Sequence, residues 1–101
     1  GLLVMTAFIS PFKTDRNLVR ELVESHEFIE IYMDTSLDEC ERRDPKGLYK
    51  KARKGEIKNF TGVDSDYEIP ESAEIIIDSV VLNIEECADQ VMQYLKNNKI
   101  I

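Results

Sequence analysis

An α/β fold with a parallel sheet between helical layers is the architecture this sequence predicts, on three observations. Apolar runs with β-branched members alternate along the chain with segments of helical spacing. The first run, residues 2–9, is almost wholly apolar, as in a strand buried on both faces of a parallel sheet. Helix-start signals, Ser36 with Glu39 and Asn83 with Glu86, stand ahead of the later helical segments.

Each element follows in order. Ser10-Pro11 ends the first expected strand, and Thr14 or Asp15 caps a helix running to about residue 24, with Leu18, Val19, Leu22 and Val23 on its apolar face. Residues 28–33 read as a second strand. The Ser36–Glu39 capping box opens a helix to residue 43, and Pro45 interrupts it. Residues 47–54 form a short basic helix that Gly55 stops. Residues 59–72 are loop, rich in Asp, Ser, Gly and Pro. Residues 74–78 are a third strand centred on Ile75, Ile76 and Ile77. The last helix follows Asn83 to about residue 96, turning Ile84, Ala88, Val91, Met92 and Leu95 inward.

Length and composition narrow the function classes. A chain of 101 residues is at most one domain with a modest core. Charged residues make up 33% and hydrophobic ones 43%, a soluble globular composition. No apolar run approaches the ~20 residues that span a bilayer. Residues 1–9 lack the basic flank and cleavage site of a signal peptide. A chain that starts at Gly1 inside an apolar run suggests a trimmed beginning. Cys40 and Cys87 lack metal spacing and read as reduced thiols, so a cytoplasmic protein is expected, with neither a membrane nor a nucleic-acid partner.

Charge is distributed unevenly. Residues 42–58 hold eight Lys and Arg against Asp44 and Glu56, a net +6, which leaves −13 on the remainder of a chain whose formal charge is −7. Such a field calls for a polyanionic ligand, although lysine-rich helices also occur as plain solvated faces. Pro45 and Gly47 flank Lys46 and give it a defined backbone. The run ends in Asn59-Phe60-Thr61-Gly62. Cations for phosphates beside a ring for a base suit a nucleotide.

The stretch RDPKGLYKKARKGEIKNFTGVDSDYEIPESAEI resembles the lid and following loop of adenylylsulfate kinases. That family phosphorylates the 3′-hydroxyl of adenosine 5′-phosphosulfate with MgATP, in sulfate assimilation. Residues 8–16, FISPFKTDR, resemble its ISP(Y/F/H)-x-x-(D/E)R signature, and FIEIYMDTSLDECERRD resembles its strand–helix lead into the lid. The similarity runs over nearly the whole chain. It implies part of a three-layer, parallel-sheet P-loop kinase fold. No G-x-x-x-x-G-K-[ST] loop is present, since none of the four glycines precedes a lysine, and the family's Asp-Gly-Asp-Asn-x-Arg segment is also missing. The expectation is therefore that residues 1–101 are the C-terminal half of the kinase domain, with the lid at about 44–62. The P-loop half would lie elsewhere, in a homodimeric parent.

The resemblance assigns roles residue by residue. Ile9, Ser10, Arg16, Lys46, Phe60, Thr61 and Gly62 would bind adenosine 5′-phosphosulfate, and Arg43 would pack on the adenine of ATP. Ser10 matches the family position assigned as a phosphoserine intermediate. A binding role is preferred, because no base stands near it in sequence and in-line transfer needs positioning, not a protein nucleophile. Each residue also has a plainer reading: Ser10 as a helix-capping turn residue, Arg16 as a surface ion pair, Phe60 as core. Lys50, Lys51 and Lys54 read as general lid charge, and Arg53 is undecided. Asp64 and Asp66 read as turn residues, and no metal ligand is assigned. The chain alone is expected to bind no cofactor and to be inactive. The rival readings are the tail of a bifunctional sulfate-activating protein and a non-catalytic polyanion-binding fragment.

Overall fold

The computed structural model describes residues 1–101, and the chain is α/β with a parallel sheet. In chain order it contains α1 (Lys13–Glu21), a 3-10 turn (Ser25–Glu27), β1 (Ile31–Asp34), α2 (Leu37–Arg43), α3 (Leu48–Arg53), β2 (Ile75–Asp78) and α4 (Ile84–Asn97). β1 and β2 pair in parallel, Ile31 opposite Ile75 through Asp34 opposite Asp78. Both strands are shorter than expected and sit at the C-terminal ends of the apolar runs.

The helix starts show local chemistry at work. Asn83 and Glu86 form a reciprocal capping box on α4. On α2 the Ser36 hydroxyl accepts from the Glu39 N–H, but the Glu39 carboxylate does not return the bond, because it faces Arg42 and Arg43. α1 differs from expectation: it begins at Lys13 behind an uncapped Phe12. Thr14 and Asp15 lie inside its first turn. The Lys13 N–H is satisfied by Glu68 Oε1 at 2.8 Å, so a residue 55 positions away replaces the local cap.

The core is small. Ala52, Ile75, Ile77 and Leu95 are the only buried residues. α4 packs most closely on the sheet, against β2. Ile84, Ala88 and Met92, expected inward on α4, are exposed, as are Leu18 and Val19 of α1 and Leu22 and Val23, which lie beyond its end at Glu21 and not within it as expected. The largest correction concerns residues 2–9. They form no strand, and their apolar side chains face solvent, Leu2 at 96% and Phe8 at 81% exposure. Apolar patterning asks for burial, but a strand forms only where a neighbour completes its hydrogen-bond ladder. No strand in this chain does so. The Cα radius of gyration is accordingly 15.5 Å, against about 13 Å for a compact domain of this length.

The two edges of the sheet differ. The Ile75 N–H donates to Glu30 O, so alternation turns the main-chain groups of Ile76 away from β1. There the Gln90 side-chain amide donates to Ile76 O at 2.7 Å and occupies that edge. By the same alternation, the main-chain groups of Ile31 and Met33 face outward from β1. An open edge together with an exposed apolar segment invites pairing between copies. The 101-residue chain is therefore expected to self-associate in dilute buffer, with a sedimentation coefficient that rises with concentration. Met5→Lys should reduce the effect. A strictly monomeric, cooperatively unfolding chain would contradict it.

Candidate functional site

β1 and β2 end side by side, and the residues just beyond them, Thr35 and Ser79, touch through their hydroxyls. An open groove of about 1070 Å³ lies at these carboxyl ends, with Thr35, Cys40, Arg43, Tyr49, Ser79 and Asn83 among its lining residues. Ligands of open α/β sheets gather at this end of the strands.

Arg43 is fixed at the groove by two partners. Its Nε meets Glu39 Oε1 at 2.9 Å, one helical turn back, and its Nη2 donates to Ser79 O at 2.7 Å. Bonds in the guanidinium plane leave the faces of the plane for stacking. Glu39 also receives Arg42 at 2.5 and 2.9 Å. Hydrogen bonds from Arg42, then from Arg43, hold the Glu39 carboxyl down at about 2. Further along, Arg53 makes a two-point bond to Glu41 at 2.6 and 3.0 Å and lowers that carboxyl too.

The basic run thus divides by residue type. Its three arginines are paired with acids. Lys46, Lys50, Lys51, Lys54 and Lys58 are exposed and make no salt bridge. Lys46 sits at the apex of a turn from Asp44 to Gly47, which is closed by Gly47 N–H donating to Asp44 O at 3.0 Å. The Asp44 carboxylate accepts from the N–H groups of Tyr49 (3.0 Å) and Lys50 (3.1 Å) at the start of α3.

The Phe60 loop is held in a similar way. The Asp64 carboxylate accepts from Asn59 N–H at 2.8 Å and Phe60 N–H at 2.5 Å, and these bonds lower its pKa. Its role here is a backbone clamp. Thr61 pairs with Ser65 in an isolated bridge. Gly62 has φ +91°, and a Cβ there would meet Leu37 Cδ1 at 3.1 Å, so both conformation and space favour glycine. The half-buried Phe60 ring meets Tyr49 edge-on at 4.9 Å and 72°. Tyr49 therefore joins the Phe60 loop to the groove that holds Arg43.

Ser10 and Arg16 form a second cluster. Ser10 is exposed with φ +44°. Arg16 donates to Ser10 O and to Glu68 O, both at 2.6 Å, and its Nε meets Glu30 Oε2 at 3.2 Å. Its side chain is only 10% exposed, with the guanidinium 5.7 Å from the Tyr67 ring centre. The structure thus gives Arg16 the task of tying the Ser10 turn to the 67–68 loop. Ile9 is exposed beside Ser10. Glu24, His26 and Glu27 bring ligand atoms within 4.8 Å on an exposed turn, where Glu24 and Glu27 already make a capping box.

Several contributors escaped the sequence reading. Glu39 was detectable, since it stands three and four residues before Arg42 and Arg43 on a helix. Ser79 and Glu68 were not, since their partners lie 36 and 52 or more residues away.

A parallel sheet whose strand ends open into a groove, beside a helix of unpaired lysines, places the chain in the class of open α/β domains that gather ligands at their strand ends. The chain belongs to the adenylylsulphate kinase family, whose family model matches residues 1–78. It is 55% identical over all 101 residues to an adenylyl-sulfate kinase of Marinobacter nauticus, covering 51% of that protein. It is 60% identical over 97 residues to one of Bacillus licheniformis, covering 96% of this chain and 49% of that one. The chain spans about half the length of the curated relatives it matches. Among solved structures it resembles the Mycobacterium tuberculosis APS kinase CysC in complex with AMPPNP and APS, with a TM-score of 0.81, 42% identity, and coverage of 88% of this chain and 52% of that one. The fold is accordingly part of that of the P-loop kinases. No helix is long and apolar enough to cross a membrane.

The Glu39 pairs carry a pH signature. A carboxyl whose folded pKa lies below its unfolded value of 4.5 stabilises the fold fully above that value and loses the contribution as pH falls through about 2. A carbon-detected NMR titration should find the Glu39 midpoint near 2. Arg42→Ala should raise it more than Arg43→Ala, because Arg42 makes the larger contribution. A midpoint near 4.5 in the unmutated chain would show that the clamp on Arg43 is not formed.

Proposed function

We propose that this chain is the C-terminal half of an adenylylsulfate kinase domain, with its lid at about residues 44–62. The complete protein transfers the γ-phosphoryl group of MgATP to the 3′-hydroxyl of adenosine 5′-phosphosulfate in sulfate activation, in the cytoplasm and as a homodimer. One observation carries the reading to a nucleotide in preference to a general polyanion. The Arg43 guanidinium is held in its plane by Glu39 and Ser79 O, at a groove on the strand ends. A flat, fixed cation suits a purine better than a flexible anionic polymer.

In this reading Arg43 serves the donor adenine. Lys46 reaches the substrate phosphates. Phe60 stacks on the acceptor adenine while Thr61 and Gly62 wall its loop. Ser10, with Ile9 beside it, binds the acceptor, and Arg16 acts there by shaping the Ser10 turn. The unpaired lysines neutralise charge as the lid closes and excludes water. Mg²⁺ supplies charge neutralisation on the ATP phosphates, and none of these residues is assigned to hold it. The groove residues orient the bases.

The full-length protein carrying this sequence should release ADP from ATP only when adenosine 5′-phosphosulfate is present, and failure to do so sinks the kinase reading. The isolated 101-residue chain should show no turnover, because a P-loop kinase needs its phosphate loop for the β- and γ-phosphates and for Mg²⁺.

Phe60→Ala in the full-length protein separates stacking from packing. Loss of a ring–base contact costs roughly 1–3 kcal/mol, which is about five- to 150-fold in acceptor affinity. ATP affinity should change much less. The Tyr49 contact adds a small fall in melting temperature, since aromatic pairs contribute about 0.5–1.5 kcal/mol. Unchanged acceptor affinity in a well-folded variant removes Phe60 from the site.

A further inference from the structure

Asp44 has no assigned role, yet every polar group it owns is bonded. Its N–H donates to Cys40 O at 2.9 Å and closes α2. Its carbonyl accepts from Gly47 N–H, and its two carboxylate oxygens accept from Tyr49 and Lys50 N–H. Its backbone sits at φ +21°, ψ +58°, a conformation a non-glycine residue adopts only when its surroundings hold it there.

The reason lies in the next helix. α3 starts at Leu48 behind Gly47, a residue with no side chain to cap it and with φ +67°. Tyr49 and Lys50 are the second and third residues of α3, whose N–H groups an N-cap side chain normally takes. Asp44 reaches over the turn and takes both. The bonds close a ring around Pro45, Lys46 and Gly47, with the exposed, unpaired Lys46 at its apex. The clamp also extends beyond the turn. Tyr49, held at its N–H by Asp44, places its ring against Phe60.

We propose that Asp44 is a positioning residue of the lid, fixing the turn that presents Lys46 and, through Tyr49, the ring of Phe60. It touches no substrate. The proposal rests on the kinase reading for the task of Lys46, but the clamp itself can be read without any substrate.

The experiment uses the full-length protein carrying these residues, with Asp44→Ala, Asp44→Asn, Lys46→Ala and the Asp44→Ala/Lys46→Ala double variant. Hydrogen exchange at the Tyr49 and Lys50 amides is measured first, without nucleotide. Asp44→Ala should accelerate exchange at both at least about tenfold, and Asp44→Asn, which keeps one oxygen, should fall between it and the unmutated protein. Unchanged protection in Asp44→Ala overturns the proposal whatever the activity. Turnover with ATP and adenosine 5′-phosphosulfate is measured next. Misplacing a positioned group costs up to about a hundredfold, so kcat/KM should fall by that order in Asp44→Ala and partly recover in Asp44→Asn. The double variant should lose less than the sum of the two single losses, because both changes remove one positioned ammonium, and what it loses beyond Lys46→Ala is the part carried through Tyr49 to Phe60. Additive losses overturn the positioning role, as does wild-type kcat/KM in Asp44→Ala. If Asp44→Ala does not fold, the graded effect of Asp44→Asn on the two amides decides. Absence of turnover in the unmutated protein counts against the kinase reading alone, and the exchange result still decides the clamp.

Discussion

The parallel pairing of Ile31–Asp34 with Ile75–Asp78 joins segments 44 residues apart, and the site hangs from that register. Both strands end on an aspartate followed by a hydroxyl residue, so Thr35 and Ser79 arrive side by side. α2 leaves from one strand end and returns Arg43 to the carbonyl just beyond the other. A one-residue slip would turn Ile75 and Ile77 out of the core and carry Ser79 O away from Arg43. Two four-residue strands provide few hydrogen bonds to defend that register. Ile75 and Ile77, half of the buried core, defend it by burial.

Polar ties do much of the remaining organisation. Arg20 makes a two-point bond to Glu74 at 2.9 Å, and Glu74 also accepts from the Glu30 N–H at 2.7 Å. Arg16 binds Glu30 and two carbonyls. Simple surface ion pairs contribute little, but forked, multiply bonded arginines also impose geometry. α1 is held mainly in this way, its apolar face remaining open. The division within the basic run follows the same physics. Planar guanidinium groups with several donors serve as struts, while the ammonium groups on flexible stems stay unpaired at the surface.

The sequence made legible whatever was local. The α4 capping box, the Gly55 stop and the strand cores were readable from spacing of a few residues. The family resemblance singled out Arg43, Lys46 and Phe60, and the structure sets the Phe60 ring against Tyr49, which lines the groove together with Arg43. Residues 2–9 were misread as a strand because apolarity states that a segment seeks cover, not what covers it. The start of α1 was misread because its cap, Glu68, is supplied from across the loop. Arg16 showed its charge in the sequence but not its acceptors, two of which are main-chain carbonyls that no side-chain pattern reveals.

Gln90 bears on assembly. By bonding Ile76 O it covers one acceptor on the outer margin of β2, whereas the margin of β1 carries no such bond. Two copies joined by their β1 margins would make a contact that is the same patch on each partner, related by a two-fold axis. Removing the amide at position 90 would bare that acceptor, and a β2 margin joined to the β1 margin of the next copy is a head-to-tail contact, which does not close on itself as the two-fold one does.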